Sequence, residues 1–159
     1  MDITLEATQP VNDIEAVYRD HAARLWRSLL AYTGDAAITD DAVAEAFAQA
    51  LRRGDALREP ERWVWRTAYR IAAGALKERG RQNGTAPETS YWLDEVPAAL
   101  TEALASLPPG QRAAVVLHYY ADLRARDVAE VLGTSTAAVK VSLMRARRRL
   151  RTLLESSDG

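Results

Sequence analysis

The 159-residue chain has no cysteine and only two histidines, His21 and His118, far apart in sequence. A disulfide and a thiolate metal site are therefore excluded, and a metal centre built on histidine is not expected. No run approaches the ~20 apolar residues that a membrane span requires. The first eighteen residues, "MDITLEATQPVNDIEAVY", lack a basic stretch followed by an apolar one, so no secretory leader is read there. These absences predict a cytoplasmic protein with no membrane contact of its own and no cofactor. There is no glycine-rich phosphate loop and no spacing of nucleophile and base. Asp40 and Asp41 are neighbours on a helix and point to different faces, which makes them a poor acid/base pair. Nothing in the sequence supports an enzyme.

What is present is charge, placed unevenly. The formal net charge is only −1. Residues 1–60 carry eleven acidic and six basic side chains, residues 61–95 five and six, and residues 96–159 six and nine. An acidic front and a basic back suggest two units with different partners.

Apolar spacing predicts helices throughout, with no strand-like alternation. Ile14, Val17, His21, Leu25, Leu29 and Tyr32 fall on one stripe of a first helix, which Gly34 ends. A second helix carries Val43, Ala46, Phe47, Ala50 and Leu51, with Thr39 as its expected N-cap and two Asp in its first turn. After the loop "RGDALREP" a third helix starts just past Pro60. The polar stretch "GRQNGTAPETS" reads as a linker. Beyond it, Trp92 and Leu93 form an apolar pair suited to docking. Leu100, Leu104 and Leu107 mark a short helix before "PPG", and three more helices follow. The fold class is all-α, in two small helical domains: residues 12–80, a flexible linker over 81–96, and residues 97–155.

The segment "RDVAEVLGTSTAAVKVSLMRA" has the pattern of a helix-turn-helix. Val128, Ala129 and Leu132 make the buried face of its first helix, and small Ala129 lies where the helices approach. Gly133 makes the turn, and Ser135 or Thr136 caps the second helix. In that helix Val139, Leu143, Ala146, Leu150 and Leu153 repeat at spacings of four and three, so they form the inward stripe. The outward face then holds Thr136, Ala137, Lys140, Val141, Met144, Arg145 and Arg148. Side chains near the helix start would meet base edges, and arginines further along would meet phosphate.

Taken in order, an acidic helix, a Trp-rich helix, a linker, "LPPGQR" and a basic helix-turn-helix resemble an extracytoplasmic-function (ECF, group IV) sigma factor of bacterial RNA polymerase. The resemblance covers residues 12–154. "ALASLPPGQRAAVVLHYYADLRARDVAEVLGTSTAAVKVSLMRARRRLRTLL" is similar to sigma region 4, "DDAVAEAFAQALRR" to region 2.2, and "RWVWRTAYRIAAGALKER" to regions 2.3–2.4. It implies a non-catalytic subunit that binds core polymerase and directs promoter-specific initiation. Asp41, Glu45 and Phe47 fall where the family meets the β′ clamp helices, an acidic surface suited to a basic coiled coil. The β flap is the second expected polymerase contact. Trp63, Trp65, Arg66, Tyr69, Arg70 and Lys77 lie on the helix resembling the −10 reader, where aromatics stack and cations track a single strand. The resemblance also sets "GDALREP" beside the pocket that takes a flipped base. Only one face of that helix can meet DNA, so Trp63 and one of Trp65 or Tyr69 are expected in the core. Arg124 and Arg126 fall at phosphate contacts. Thr136, Ala137, Lys140, Val141, Ser142, Met144 and Arg145 fall on the −35 reader, where Val141 and Met144 suit thymine methyl groups. Promoter DNA and an anti-sigma factor complete the implied partners.

The chain departs from the family pattern at "KVSL", where Val141–Ser142 replace a basic pair, at Tyr69–Arg70, and at Gly74 in place of an acidic residue. A mid-helix glycine marks a close approach or a weak point. Two alternatives follow from the residues: a sigma mimic that titrates an anti-sigma factor, and a stand-alone helix-turn-helix repressor. In the free protein the acidic half is expected to weaken DNA binding until polymerase takes it up.

Overall fold

Helix α1 (Ile3–Thr33) buries most of the stripe its spacing specifies: Ile14, Val17, Leu25, Leu29 and Tyr32 lie in the core, while His21 is only partly buried, 3.6 Å from the Glu61 carboxylate. The computed structural model describes residues 3–83 and 97–158. Leu25 and Leu29 have no exposed surface, and each such leucine stabilises the fold by roughly 1.5–3 kcal/mol. Gly34 ends α1 in the left-handed region, at φ 66°, with its N–H on the Leu30 carbonyl.

The chain turns at once into α2 (Ala36–Arg53). Its cap is Asp35, not Thr39: the Asp35 carboxylate accepts from the N–H groups of Ala37 and Ile38 at 2.9 and 3.1 Å. Thr39 is instead fully buried and hydrogen-bonded to the hydroxyl of Thr33 at 2.8 Å. The helix begins ahead of Thr39 because the tight Gly34 turn leaves Asp35 directly at the orphan N–H groups. Asp40 accepts from the Trp26 indole at 2.7 Å. Gly54 closes α2 at φ 51° and opens a single 3₁₀ turn, Gly54–Ala56, inside the expected loop.

Helix α3 (Pro60–Asn83) starts on its proline and runs on into the expected linker. The remaining linker positions, and with them Trp92 and Leu93, lie outside the described residues. Gly80 does not stop α3. Gly74 sits on its exposed face, and a methyl group added there would meet nothing within 4 Å, so it is a weak point and not a close approach.

Helices α4 (Ala98–Ala105) and α5 (Pro109–Val115) follow, and α5 widens into a π turn over Val116–Tyr120. The Ala121 and Leu123 N–H groups reach back to the Val116 and Leu117 carbonyls, and Asp122 adopts φ 59°. Helices α6 (Ala125–Leu132) and α7 (Thr136–Asp158) complete the chain. The fold is all-α, with α1–α3 forming one helical unit and α4–α7 the other.

The two units share one contiguous core. α3 packs on α6, while α1 packs on α4, α5 and the π turn. A column of stacked rings crosses the first unit: Trp65 on Tyr69 at 6.4 Å, then Tyr69 on Tyr32 at 5.4 Å. A guanidinium caps each end, Arg24 over Trp65 and Arg112 over Tyr32. Such contacts add to simple burial. Arg112 comes from α5 of the second unit. Its guanidinium donates to the carbonyls of Tyr32, Leu107 and Ala105 at 2.6, 2.9 and 3.3 Å. It thereby fastens the ends of α1 and α4, where helix carbonyls lack partners. Burial pushes its pKa down; the neighbouring Tyr32 opposes that shift, and the positive charge of Arg79 adds to it.

Candidate nucleic-acid interface

The turn between α6 and α7 is built locally. Gly133 takes φ 67° and ψ 38°, and the Thr134 N–H bonds to the Ala129 carbonyl at 2.9 Å, the six-to-one bond of a glycine-terminated helix. The Ser135 hydroxyl accepts from the Ala138 N–H at 3.1 Å and caps α7. Val128 and Ala129 are buried as expected. Val131, not Leu132, completes that face, with Leu132 only half-buried. The reason is tertiary: Val131 borders α1 and α3 in a recess with Trp65 and Leu123.

In α7 the inward stripe holds: Val139, Leu143 and Ala146 are buried, and Leu150 packs on the same core. Ala137, Lys140, Val141, Met144, Arg145 and Arg148 are exposed and Thr136 is half-exposed. Val141 and Met144 show 41% and 43% of their surface to solvent, so an apolar strip runs between Lys140 and Arg145. Arg124 and Arg126 are exposed at the start of α6, with Arg124 drawn to Asp127 at 3.3 Å. Arg145, Arg148 and Arg149 border a surface recess with Gln111 from α5. Arg147 turns away and donates to the Tyr119 hydroxyl at 2.6 Å. Arg149 is not distinguished by sequence because a basic run does not show which members share a face.

On α3 the structure separates the expected residues. Arg66, Arg70 and Lys77 are exposed, and their spacings of four and seven set them on one side. Trp63 is half-buried, under the guanidinium of Arg53 at 5.3 Å. Both Trp65 and Tyr69 are core residues, 5% and 1% exposed, where only one was expected there. Tyr69 therefore does not stand on the surface in this arrangement. Helix α3 is covered on two sides, by α1 and α2 and by α6, and Tyr69 sits in the ring column between them. Its burial pushes the phenol pKa up. The loop before α3 borders a recess in which Arg53, Arg58, Arg62 and Arg66 surround Trp63, with Glu59 and Glu130 also on its rim.

On α2, Asp41 and Glu45 are exposed while Phe47 is 6% exposed, packed edge-on against Tyr18 at 5.0 Å. The Glu45 carboxylate accepts from Gln49 at 2.9 Å and from Arg52 at 3.2 Å. These bonds, Gln49 first, hold its pKa below the ordinary carboxylate value. The exposed apolar groups nearby are Tyr18 and Leu51. Sequence spacing places Leu51 on the inward stripe, and it is not there.

An all-helical chain ending in a helix-turn-helix with a basic outer face has the build of a DNA-binding transcription regulator. Residues 98–150 match the family model for Sigma-70, region 4. The ECF RNA polymerase sigma factor SigL of Mycobacterium tuberculosis is 32% identical over 163 aligned positions, spanning 89% of each chain. The RNA polymerase sigma factor SigV of Bacillus subtilis is 27% identical, covering 87% of this chain and 89% of the relative. Two solved structures share the fold. CnrH, in complex with the cytosolic domain of CnrY, aligns with TM-score 0.71 and 21% identity over 96% of this chain and 94% of that one. The sigma factor RpoE, in complex with the anti-sigma factor NepR from Bartonella quintana, aligns with TM-score 0.67 and 20% identity over 98% of each. The chain belongs to the ECF sigma factors of RNA polymerase, a family of transcription regulators that direct the enzyme to promoters.

Proposed function

We propose that this sigma factor reads the −35 element with the outer face of α7 and holds the melted −10 strand along α3. The first assignment rests on one observation: Ala137, Lys140, Val141, Met144, Arg145 and Arg148 stand exposed together directly after a glycine turn and a serine cap. A helix so placed presents its first turns to base edges and its arginines to phosphate. Lys140 and Arg145 are the long donors, and Val141 and Met144 take thymine methyl groups. Arg124 and Arg126 bind backbone phosphate.

On α3, Arg66, Arg70 and Lys77 form the cationic track and Trp63 the stacking surface. Asp41 and Glu45, with Tyr18 and Leu51 beside them, meet the basic β′ clamp helices, and Phe47 supports that surface from beneath. The second unit meets the β flap. No residue is catalytic, and the protein works in the cytoplasm; among the described residues no helix is long and apolar enough to cross a membrane. An anti-sigma factor is its regulator, in line with the NepR-bound RpoE that shares its fold.

Run-off transcription with reconstituted core polymerase tests the proposal, using promoters selected from genomic fragments. Specific transcripts lost in Lys140→Ala and Arg145→Ala are expected. A protein that binds an anti-sigma factor but yields no transcript is a mimic. A symmetric footprint without polymerase is a repressor.

A further inference from the structure

The connection between α5 and α6 is tied down by side chains that neither DNA-reading face uses. The π turn over Val116–Tyr120 is wound wider than an α-helix, a form that recurs at functional sites. His118 Nδ1 lies 2.8 Å from the Leu123 carbonyl. A carbonyl only accepts, so Nδ1 carries the proton and donates. The Tyr119 ring stands edge-on to the imidazole at 4.7 Å. Its hydroxyl accepts from the Arg147 guanidinium of α7 at 2.6 Å. A continuous path therefore runs from the reading helix, through two aromatic rings, to one backbone carbonyl.

The position of that carbonyl matters. Its peptide plane ends in the nitrogen of Arg124, so fixing the carbonyl fixes the plane from which Arg124 departs. Arg124 stands at φ −69° and ψ 156°, and its own carbonyl accepts the first hydrogen bond of α6, from the Val128 N–H at 2.9 Å. Arg126 follows in the first turn of that helix. The corner gains from an outside hold, because Asp122 takes φ 59°, a left-handed setting that costs a residue with a Cβ. Its backbone bonds are two: the Ala121 N–H to the Val116 carbonyl and the Leu123 N–H to the Leu117 carbonyl, both at 3.0 Å.

We infer, on the reading of Arg124 and Arg126 as phosphate contacts, that His118, Tyr119 and Arg147 are positioning residues: they hold those two arginines in register with the reading face of α7. Both elements meet one rigid duplex, so a guanidinium at the head of α6 must stand at a set distance from the groove that α7 enters. Asp127 draws Arg124 at 3.3 Å. A small shift of the corner therefore leaves Arg124 on the carboxylate and off the phosphate. Tyr119 is 55% exposed and His118 half-buried, so their bonds add little to folding stability. Their effect falls on the spacing of two DNA contacts, and not on the base edges that Lys140 and Arg145 read. Loss of the path removes sequence-independent affinity and leaves base preference intact.

The test uses the full chain and a fluorescent random-sequence duplex of about 20 base pairs, read by anisotropy between about 20 and 200 mM salt. Each phosphate contact contributes about 0.9 to the slope of log affinity against log salt. His118→Leu removes the donor and keeps the bulk, while His118→Asn places an amide N–H where Nδ1 stands. Tyr119→Phe removes only the acceptor for Arg147. Arg124→Ala/Arg126→Ala marks the loss of both contacts. Expected is a slope shallower by about 2 in the double arginine variant, by about 1 to 2 in His118→Leu and by about 1 in Tyr119→Phe. His118→Asn should keep the wild-type slope, and the melting temperature of Tyr119→Phe should not change. A lowered melting temperature in His118→Leu with an unchanged slope overturns the positioning role and leaves a structural bond only. A slope as shallow in His118→Asn as in His118→Leu overturns the hydrogen bond as the cause. A wild-type slope in Tyr119→Phe overturns the part given to Tyr119 and Arg147. No duplex binding by the wild type, or an unchanged slope in the double arginine variant, overturns the phosphate reading itself and the positioning role with it.

Discussion

Helices α3 and α7 are both basic, both amphipathic and both assigned to DNA, yet they are built differently. Helix α7 buries one stripe and shows the rest to solvent. Helix α3 is covered on two sides, so its aromatic residues divide between a core column, Trp65 and Tyr69, and Trp63, which packs on the same core but stays half-buried under Arg53. An aromatic residue on a DNA-reading helix therefore indicates stacking only when one face is all the helix buries. Arg66, Arg70 and Lys77 are the surface signal on α3; Trp65 and Tyr69 are not.

Substitutions can test this contrast. The largest expected effect is Tyr69→Ala, which empties the centre of the ring column and destabilises by about 3–5 kcal/mol. Met144→Ala, equally apolar but on the outer face of α7, changes stability by less than about 0.5 kcal/mol. Chemical denaturation separates the two, and equal losses would erase the distinction between the helices. Next, Lys140→Ala or Arg145→Ala should weaken use of a matched −35 element by about 1–3 kcal/mol at unchanged melting temperature. Exchanging Val141 and Ser142 should alter which −35 sequences are accepted; a gel-shift series over single-base variants shows either. If preference is untouched, another face of α7 reads the groove.

Smaller effects probe the scaffold. Asp35→Ala removes the α2 cap and the 2.7 Å partner of Arg79, for a loss of about 1–2 kcal/mol. Thr39, the cap suggested by sequence, has a buried hydroxyl bond to Thr33 instead, so Thr39→Val should destabilise without fraying α2, seen in amide exchange. Gly74→Ala fills an exposed helical position with open space around it and should stabilise by about 0.5–1 kcal/mol. The smallest is a pH effect. The phenols of Tyr69 and Tyr32 are raised above the ordinary value of 10.0 by burial. A raised folded-state value favours the protonated fold, so their contribution is whole below about pH 10 and declines above it. Stability against denaturant should therefore fall on the alkaline side, and Tyr69→Phe should flatten that fall.

Most of the fold was legible because it is local. The α1 stripe, the glycine at its end, the Gly133 turn, the Ser135 cap and the inward stripe of α7 each follow from spacing and backbone preference within a few residues. Errors arose where two helices compete for one residue. Thr39 looked like a cap, since Thr is a good one, but the Gly34 turn put Asp35 there first. Leu51 continued an apolar spacing on α2, yet among the described residues it stays 56% exposed. Val131 is buried, where Leu132 was expected, because α3 packs on α6 and Val131 lies in the recess that holds Trp65. Arg112 and Arg62 carry no local sign of their partners, since each meets a carbonyl or carboxylate from the other unit.

Residue order alone specified an all-α chain, a helix-turn-helix, an unequal charge distribution and the family they denote. Backbone propensity and apolar periodicity act over one or two turns of helix, and a single chain displays them openly. It took the packing of helices to make Tyr69 a core residue, to join α5 to the end of α1 through Arg112, and to set Asp127 and Glu130 beside Arg62. Those outcomes depend on which surfaces meet when two amphipathic units exclude water together, and residues dozens of positions apart do not announce that meeting in their order.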